Sequence, residues 1–377
     1  VAGVLVETYE GRPTKIEGNP NHPASLGAST VFQQASIMNL YDPDRLTAPK
    51  YTTKASSLSA FKDWMMSKRK EWAATKGKGL TLLLEPNASP SFNALLDSFS
   101  ARYPKATVRV YSSLSNEQSR QAIDALSGVA ANKVYDFSSA NVVVSIDDDF
   151  LGVTGNQIRN TKGFSERRDP DSGDLNRLYT FEPRVSITGS KSDHRYPVKQ
   201  SELHDVLSCL LYHVAKLVRY DLSDLSFMGL KELQLDFVDT KIIKEVAKDL
   251  YHNRGKSLVA VGDHLNADIH KMVLVLNDLL SNNGSTIHYH KPAFEPASSD
   301  SLRELANDLN NDKVDALIIL GGDPVYSAPY DISLSKAITK ASDRVHLVDI
   351  ENETSRLCNW LIPESSYLES WGDAQTV

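Results

Sequence analysis

Four short stretches carry side chains that could do chemistry, and each follows an apolar run. They are Asp147-Asp148-Asp149, Gly262-Asp263-His264, Gly321-Gly322-Asp323-Pro324 and Asp349-Ile350-Glu351. Adjacent carboxylates could hold a divalent cation. Three in a row on an extended chain cannot all point one way, so a solvated strand end is the expectation for 147–149. Paired glycines after an apolar run let backbone N–H groups approach a phosphate or ribose. They also make a tight turn that needs positive φ, and that reading is favoured here. Neither G-x-G-x-x-G nor G-x-x-x-x-G-K-[ST] occurs.

The other reactive residue types are sparse. The two cysteines, Cys209 and Cys358, form no C-x-x-C pair, so the chain cannot build a four-thiolate cluster or zinc site of its own. Free buried cysteine is the expectation, with a single bridge left open. His288-x-His290 could turn two imidazoles to one side of a strand but lacks a third ligand, so a surface strand is expected. His264 and His270 are not at ideal helical spacing. Gly-x-Ser-x-Gly is absent, and no Ser-His-Asp or Cys-His set stands out. Arg167-Arg168 with Arg177, and Asp193-His194-Arg195, are expected to be solvated polar loops. No catalytic residue and no metal ligand is assigned.

Composition narrows the function classes. The 377 residues are 41% hydrophobic and 24% charged, with net charge -7. That is ordinary globular usage, and the length suits two or three domains. The mild acidity gives no electrostatic footprint for nucleic acid or an anionic membrane. No apolar run is long enough to cross a bilayer. The opening Val1-Ala2-Gly3-Val4 and the end at Val377 suggest an excised piece of a longer protein.

These stretches need strands and helices to position them. Residues 3–17 read as a β-hairpin turning at Glu10-Gly11. Gly18–Pro23 and Tyr41–Arg45 are loops. A helix is expected over 57–75, stopped by Gly77-Lys78-Gly79. Strands are expected at 80–84, 108–111, 142–146, 178–181, 258–261, 286–289, 316–320 and 345–348. Between them, Phe92, Leu95, Leu96 and Phe99 keep helical spacing. Ser115-x-x-Gln118 reads as a capping box. The stripe Leu203, Val206, Leu207, Leu210, Val214 and Leu217 marks the strongest helix. Asn266 caps another, with Ile269, Met272, Val273 and Leu276 on its apolar face. Apolar strands alternating with helices predict an α/β chain with parallel sheets and right-handed crossovers. Ligands of such sheets sit outside the carboxyl ends of the strands, where the four stretches lie.

Several segments carry a resemblance. Gly11–Gly18 with Asn19-Pro20-x-His22-Pro23, then Leu40-Tyr41-Asp42-Pro43-Asp44-Arg45, resemble the start of large subunits of the molybdopterin oxidoreductase family. Ala140–Ser145, Leu317–Pro324, Glu353-Thr354, Leu361-Ile362-Pro363 and Glu369 resemble later family pieces in order. Asp149–Gly152, Thr188–Arg195, Asp323–Pro329 and Tyr367–Asp373 resemble the molybdopterin-oxidoreductase-like half of the large iron–sulfur subunit of alternative complex III, a quinol-oxidising membrane complex. The resemblance covers essentially the whole chain.

The resemblance implies two Rossmann-like lobes, as in the formate dehydrogenase/DMSO reductase-like domains without their C-terminal barrel, plus a short N-terminal β segment over 1–50. One lobe would combine 51–78 with 255–377, and the other would be inserted over 79–254. Thr30 stands where the catalytic family has a cluster cysteine, and Ser89 is the possible molybdenum ligand. Gly262, Asp263, Gly321, Gly322, Asp323 and Glu351 would be vestigial dinucleotide-side residues. The implied role is a cofactor-free docking domain of a respiratory complex. Cytochrome c and integral membrane quinol-binding subunits would be its partners, at the periplasmic face, reached through an export signal this chain does not show. Iron–sulfur clusters would sit in a downstream part. The alternative is an oxidoreductase that binds a molybdopterin dinucleotide across the Gly262 and Gly321 strand ends. A nucleotide-binding enzyme of another kind is a third.

Overall fold

A computed structural model describes residues 2–152, 155–173, 175–223, 228, 230, 232–292 and 297–375. The termini Val1 and Val377 therefore lie outside the described residues. The strands are β1 (Val4–Tyr9), β2 (Arg12–Gly18), β3 (Lys50–Tyr51), β4 (Lys54–Ala55), β5 (Leu80–Leu84), β6 (Thr107–Val110), β7 (Asn132–Tyr135), β8 (Val142–Ile146), β9 (Arg177–Glu182), β10 (His194–Pro197), β11 (Ser257–Val261), β12 (Ile287–His290), β13 (Ala316–Leu320), β14 (Asp343–Val348) and β15 (Trp360–Pro363). The α-helices are α1 (Val31–Ala35), α2 (Ile37–Leu40), α3 (Leu58–Thr75), α4 (Pro90–Arg102), α5 (Glu117–Ser127), α6 (Gln157–Glu166), α7 (Ile187–Ser190), α8 (Leu203–Val218), α9 (Thr240–His252), α10 (Ala267–Leu279), α11 (Asp300–Asn310), α12 (Pro324–Ser327) and α13 (Leu334–Ile338).

The chain divides into two compact units. The first comprises Val1–Glu17, Val31–Ser115 and Ala293–Val377, and the second Gly18–Thr30 and Asn116–Pro292. The first unit is built on a seven-stranded sheet ordered β4-β3-β15-β14-β13-β5-β6. The five strands from β15 to β6 are parallel, and β3 and β4 add an antiparallel edge. Residue alternation separates its two faces. Leu83, Leu317 and Ile319 pack with Leu302, Leu305 and Ile338 from α11 and α13. Leu80, Ala316 and Ile318 pack on the other face with Trp72 and Tyr103. Covering both faces is what lets these strands be near-continuous apolar runs.

The second unit centres on a parallel sheet ordered β10-β9-β8-β11. One face packs Val142, Val144 and Ile146 against the stripe of α8, of which Leu203, Val206, Leu207, Leu210 and Val214 are buried. The other packs Val143, Leu178, Leu258 and Ala260 against Phe137, Phe150 and Phe164. Phe137 and Phe150 stack at 4.0 Å between ring centroids. Asn266 caps α10 as expected, its Oδ1 accepting from Ile269 N at 3.0 Å. Strand β12 pairs antiparallel with β7, a four-residue strand with no apolar run to announce it.

Three expectations change. The boundaries expected at 79 and 254 do not delimit the units. Strand β5 hydrogen-bonds to β13, and β11 to β8, so each of those boundaries would cut a sheet ladder. Helix α5 has Asn116 rather than Ser115 at its N-cap, and Gln118 instead accepts from Ala267 N at 3.1 Å. The arginine stretches are not free solvated loop. Arg168 grips Asp193 with two bonds of 2.9 and 2.6 Å, Arg177 meets Asp249 at 2.7 Å, and Arg195 meets the buried Glu182 at 2.5 Å. Both cysteines are unbridged.

Candidate functional site

Each unit has one place where the strand order reverses, and there the crevice outside the carboxyl ends opens. In the first unit it lies between β5 and β13. Leu84 is followed by Glu85, and Leu320 by Gly321-Gly322. Both glycines have left-handed φ, 77° and 71°, so the turn needs residues without Cβ. The end of the Glu85 side chain lies against the same turn. A Cβ on Gly322 would lie 2.9 Å from Glu85 Oε1, and one on Gly321 3.3 Å from Glu85 Oε2 and 3.9 Å from Glu364 Oε2. Two carboxylates thus converge on this turn. Burial raises the Glu85 carboxyl above its ordinary value, and burial together with Asp349 and Glu85 raises Glu364. The remaining cavity, lined by Glu85, Tyr111, Ser112 and Asp323, is about 30 Å³. That is room for a water or two.

The turn is braced from behind. Buried His346 places Nε2 3.1 Å from the Gly322 carbonyl and Nδ1 3.2 Å from Ser355 Oγ. Asp323 caps the short α12 and accepts from Thr354 Oγ1 at 2.6 Å and Thr354 N at 3.2 Å. Those bonds hold its carboxyl below the usual range, against burial, which acts the other way. Glu351 pairs with Lys50. Neither acid reaches into the crevice as a free ligand.

Residues 364–375 then cross the same edge. Glu364 N donates to Val348 O at 3.0 Å, at the end of β14, and Gln375 N donates to Ala88 O at 2.9 Å, beyond the end of β5. Strand β13 lies between those two strands in the sheet, so this strap passes over its carboxyl end. Near its far end, Asp373 Oδ2 accepts from Ser91 N at 3.0 Å, and Oδ1 accepts from the Ser89 hydroxyl. Ser89 is the N-cap of α4, accepting from Phe92 N at 3.1 Å. The possible molybdenum ligand therefore donates one hydrogen bond and accepts another within the chain.

In the second unit the strand order reverses between β8 and β11. Asp147 Oδ2 lies 2.8 Å from His264 Nε2 and ties the two strand ends together. Asp147 adopts φ 47°, uncommon for a residue with a side chain. Gly262 is glycine for space, since a Cβ there would lie 2.3 Å from Asp147 O. The triplet 147–149 is not the solvated strand end expected of it. Asp148 is buried, 5% exposed, and its carboxyl is pushed up to about 7 by burial, with Lys133 opposing. Asp149 turns to accept from Thr188 N at 2.9 Å. The three carboxylates do point different ways, and among the described residues no group of three His, Cys, Asp or Glu side chains could hold a metal.

Sequence reasoning missed Lys133. It reaches from β7 to within 3.4 Å of the Val261 carbonyl, 3.3 Å of His270 Nδ1 and 3.9 Å of Asp263 Oδ1. Burial lowers its ammonium, and burial with Lys133 lowers His270 to about 3. A short polar strand offered no local signal for this contact. Of the residues expected on the dinucleotide side, Gly321, Gly322 and Asp323 gather at the first unit's crevice, with Glu351 at the neighbouring end of β14. Gly262 and Asp263 belong to the second unit's crevice.

No family model matches the chain. Over 408 aligned residues it is 22% identical to the "Menaquinone reductase, molybdopterin-binding-like subunit" of Nitratidesulfovibrio vulgaris, covering 99% of this chain and 58% of that protein. Over 222 residues it is 24% identical to the arsenate respiratory reductase molybdopterin-containing subunit ArrA of a Shewanella species, covering 56% of this chain and 25% of that one. Its fold matches acetylene hydratase from Pelobacter acetylenicus with a TM-score of 0.70 at 12% identity, covering 96% of this chain and 61% of that one. The chain has a molybdopterin oxidoreductase-like fold, and its relatives support that family. It spans about three-fifths of the menaquinone reductase subunit and of acetylene hydratase.

The residues at the first crevice of this molybdopterin oxidoreductase-like chain do not fit the family's anionic dinucleotide. A pyrophosphate laid against Gly321-Gly322 would meet the carboxylates of Glu85 and Glu364 rather than a cation, and like charges at close range repel. At the second crevice the Asp147–His264 bond already joins the two strand ends.

Proposed function

We propose that the chain is a molybdopterin-oxidoreductase-like domain without its own cofactor, serving as a structural and docking part of a respiratory quinol:electron-acceptor oxidoreductase complex. The Glu85 carboxylate over the Gly321-Gly322 turn carries this reading, because it puts negative charge where a dinucleotide phosphate would lie. The near-complete coverage by a menaquinone reductase subunit named molybdopterin-binding-like supports it. A complex of the alternative complex III type is the finer assignment. Its partners would be cytochrome c and integral membrane quinol-binding subunits. The domain would lie at the periplasmic face, with iron–sulfur clusters in a further part of the subunit. No described helix is long and apolar enough to cross a membrane.

The second reading is a catalytic fragment that binds molybdopterin dinucleotide, favoured by the likeness to a subunit named molybdopterin-containing. Metal and pterin analysis of the purified protein separates the two. The expected result is molybdenum far below one per chain and no pterin fluorescence after acid release. Stoichiometric molybdenum would replace the first reading with the second.

A further inference from the structure

The strap and the loops around it leave aromatic rings in water. Trp371, on residues 364–375, is 104% exposed, and Tyr367 beside it is 52% exposed. Tyr330 and Tyr326, in the segment after β13, are 99% and 78% exposed. All four stand at the carboxyl edge of the first unit's sheet, since β13 ends there and the strap crosses that end between β14 and β5. Trp and Tyr are the side chains that most often anchor protein interfaces, and here they stand in water along one sheet edge.

The charge of this edge selects the partner. The loops 85–90, 321–332, 349–356 and 364–375 carry nine acidic side chains and one basic, Arg356. Three of the acids are answered by cations from elsewhere in the unit: Glu369 by Arg45, Glu351 by Lys50 and Asp331 by Arg303. The edge keeps a negative surplus. Glu85 is exposed and Glu364 partly buried, and neither has a cation within ion-pair distance among the described residues. Rings flanked by carboxylates are the chemistry that receives guanidinium groups. Arginine stacks on aromatic faces and offers a planar fork to a carboxylate, which lysine cannot do.

We infer that the carboxyl edge of the first unit docks a protein partner presenting arginine side chains, which stack on Trp371 and Tyr330 and bond to the acidic loops between them. This rests on the docking role proposed above and names the edge and the chemistry of its partner. The surface suits an obligately basic patch and repels a second acidic copy of this chain.

The test is binding of a fluorescein-labelled deca-arginine peptide to the purified chain, followed by anisotropy at 150 mM salt, with deca-lysine for comparison. The Trp371→Ala/Tyr330→Ala double variant keeps the net charge and removes the rings. It is expected to weaken deca-arginine binding about fivefold, with deca-lysine affected less. Asp97→Asn, on α4, removes one charge elsewhere and is expected to change binding less than twofold. Hydrogen exchange with the peptide bound should protect 326–332 and 364–373. Equal binding by the double variant, or protection confined to other segments, overturns the inference. So does self-association of the chain that the double variant abolishes, because a second copy would then own the surface. Both aromatic positions are solvent-exposed, and an unchanged melting temperature confirms that the variant folds. Molybdenum in the protein would overturn the cofactor-free reading and leave this result intact, so the two failures are distinguishable.

Discussion

Asp373 Oδ2 accepts a hydrogen bond from Ser91 N at 3.0 Å, so a carboxylate of the strap sits at the N-terminus of α4. The positive end of a helix favours an anion there, and this chain supplies its own. Asp373→Asn is expected to speed amide exchange at Ser91 and Phe92 and to loosen residues 370–375, with the rest of the sheet unchanged. Ser89→Ala removes the cap itself and should cost about 1 kcal/mol in urea unfolding. Equal protection of Ser91 in wild type and Asp373→Asn would show that the strap does not hold the helix.

The Asp147–His264 bond gives a pH dependence with a defined sign. The bond to Asp147 raises the His264 pKa above its ordinary 6.5, with burial opposing. A histidine whose folded pKa exceeds its unfolded one stabilises the protein fully below about 6.5, and this is lost as pH rises through the higher folded value. His264→Gln should remove that contribution, so the difference between wild type and variant shrinks from pH 5.5 towards pH 8.5. An NMR titration placing His264 below 6.5 would contradict the expectation.

Asp148 titrates in the opposite chemical sense to an ordinary surface carboxylate. Its folded pKa, raised by burial from 3.8 to about 7, lies above the unfolded one. The folded state therefore holds the proton longer, and stability is greatest below about 3.8 and falls as pH rises towards 7. The slope for one proton is at most about 1.4 kcal/mol per pH unit. Asp148→Asn should flatten that part of the stability curve, measured by urea unfolding at half-unit intervals between pH 4 and 8. A parallel curve for the variant would place the titration on another group.

Phe150 is fully buried, stacked on Phe137 and edge-on to Phe164 at 5.5 Å. Phe150→Ala should cost about 3–5 kcal/mol by lost burial and a residual cavity. Phe150→Leu should cost distinctly less. Chemical unfolding of the two variants checks the order.

Much of the fold was legible because local periodicity encodes it. The apolar runs of β5, β8, β11 and β13 and the stripe of α8 stand out against their neighbours. Helix α4 formed at its helical spacing, yet Leu95 is 68% exposed, so spacing alone marked the helix and not its burial. The glycine turn at 321–322 was also legible, because left-handed backbone has few other solutions. Strands β7 and β10 are short and partly polar, and no period of two announces them. The unit boundaries were hidden for a different reason. Whether β5 pairs with β6 alone or also with β13, more than two hundred residues later, is decided by register between distant segments. Glu85 over Gly322, Lys133 at Val261 and His264 at Asp147 are likewise contacts between separate stretches of chain, invisible to any window of sequence.

The ladder between β5 and β13 also orders events in time. A ribosome releases β5 and β6 well before β13, β14 and β15 exist, so the larger sheet waits as two parallel strands with an unpaired edge while residues 116–292 emerge. The second unit, whose core is otherwise drawn from that stretch, has all its sheet strands in hand first. A translating cell would meet a finished second unit and an open first one, and the exposed edge of β5 is where a chaperone would find work during the interval.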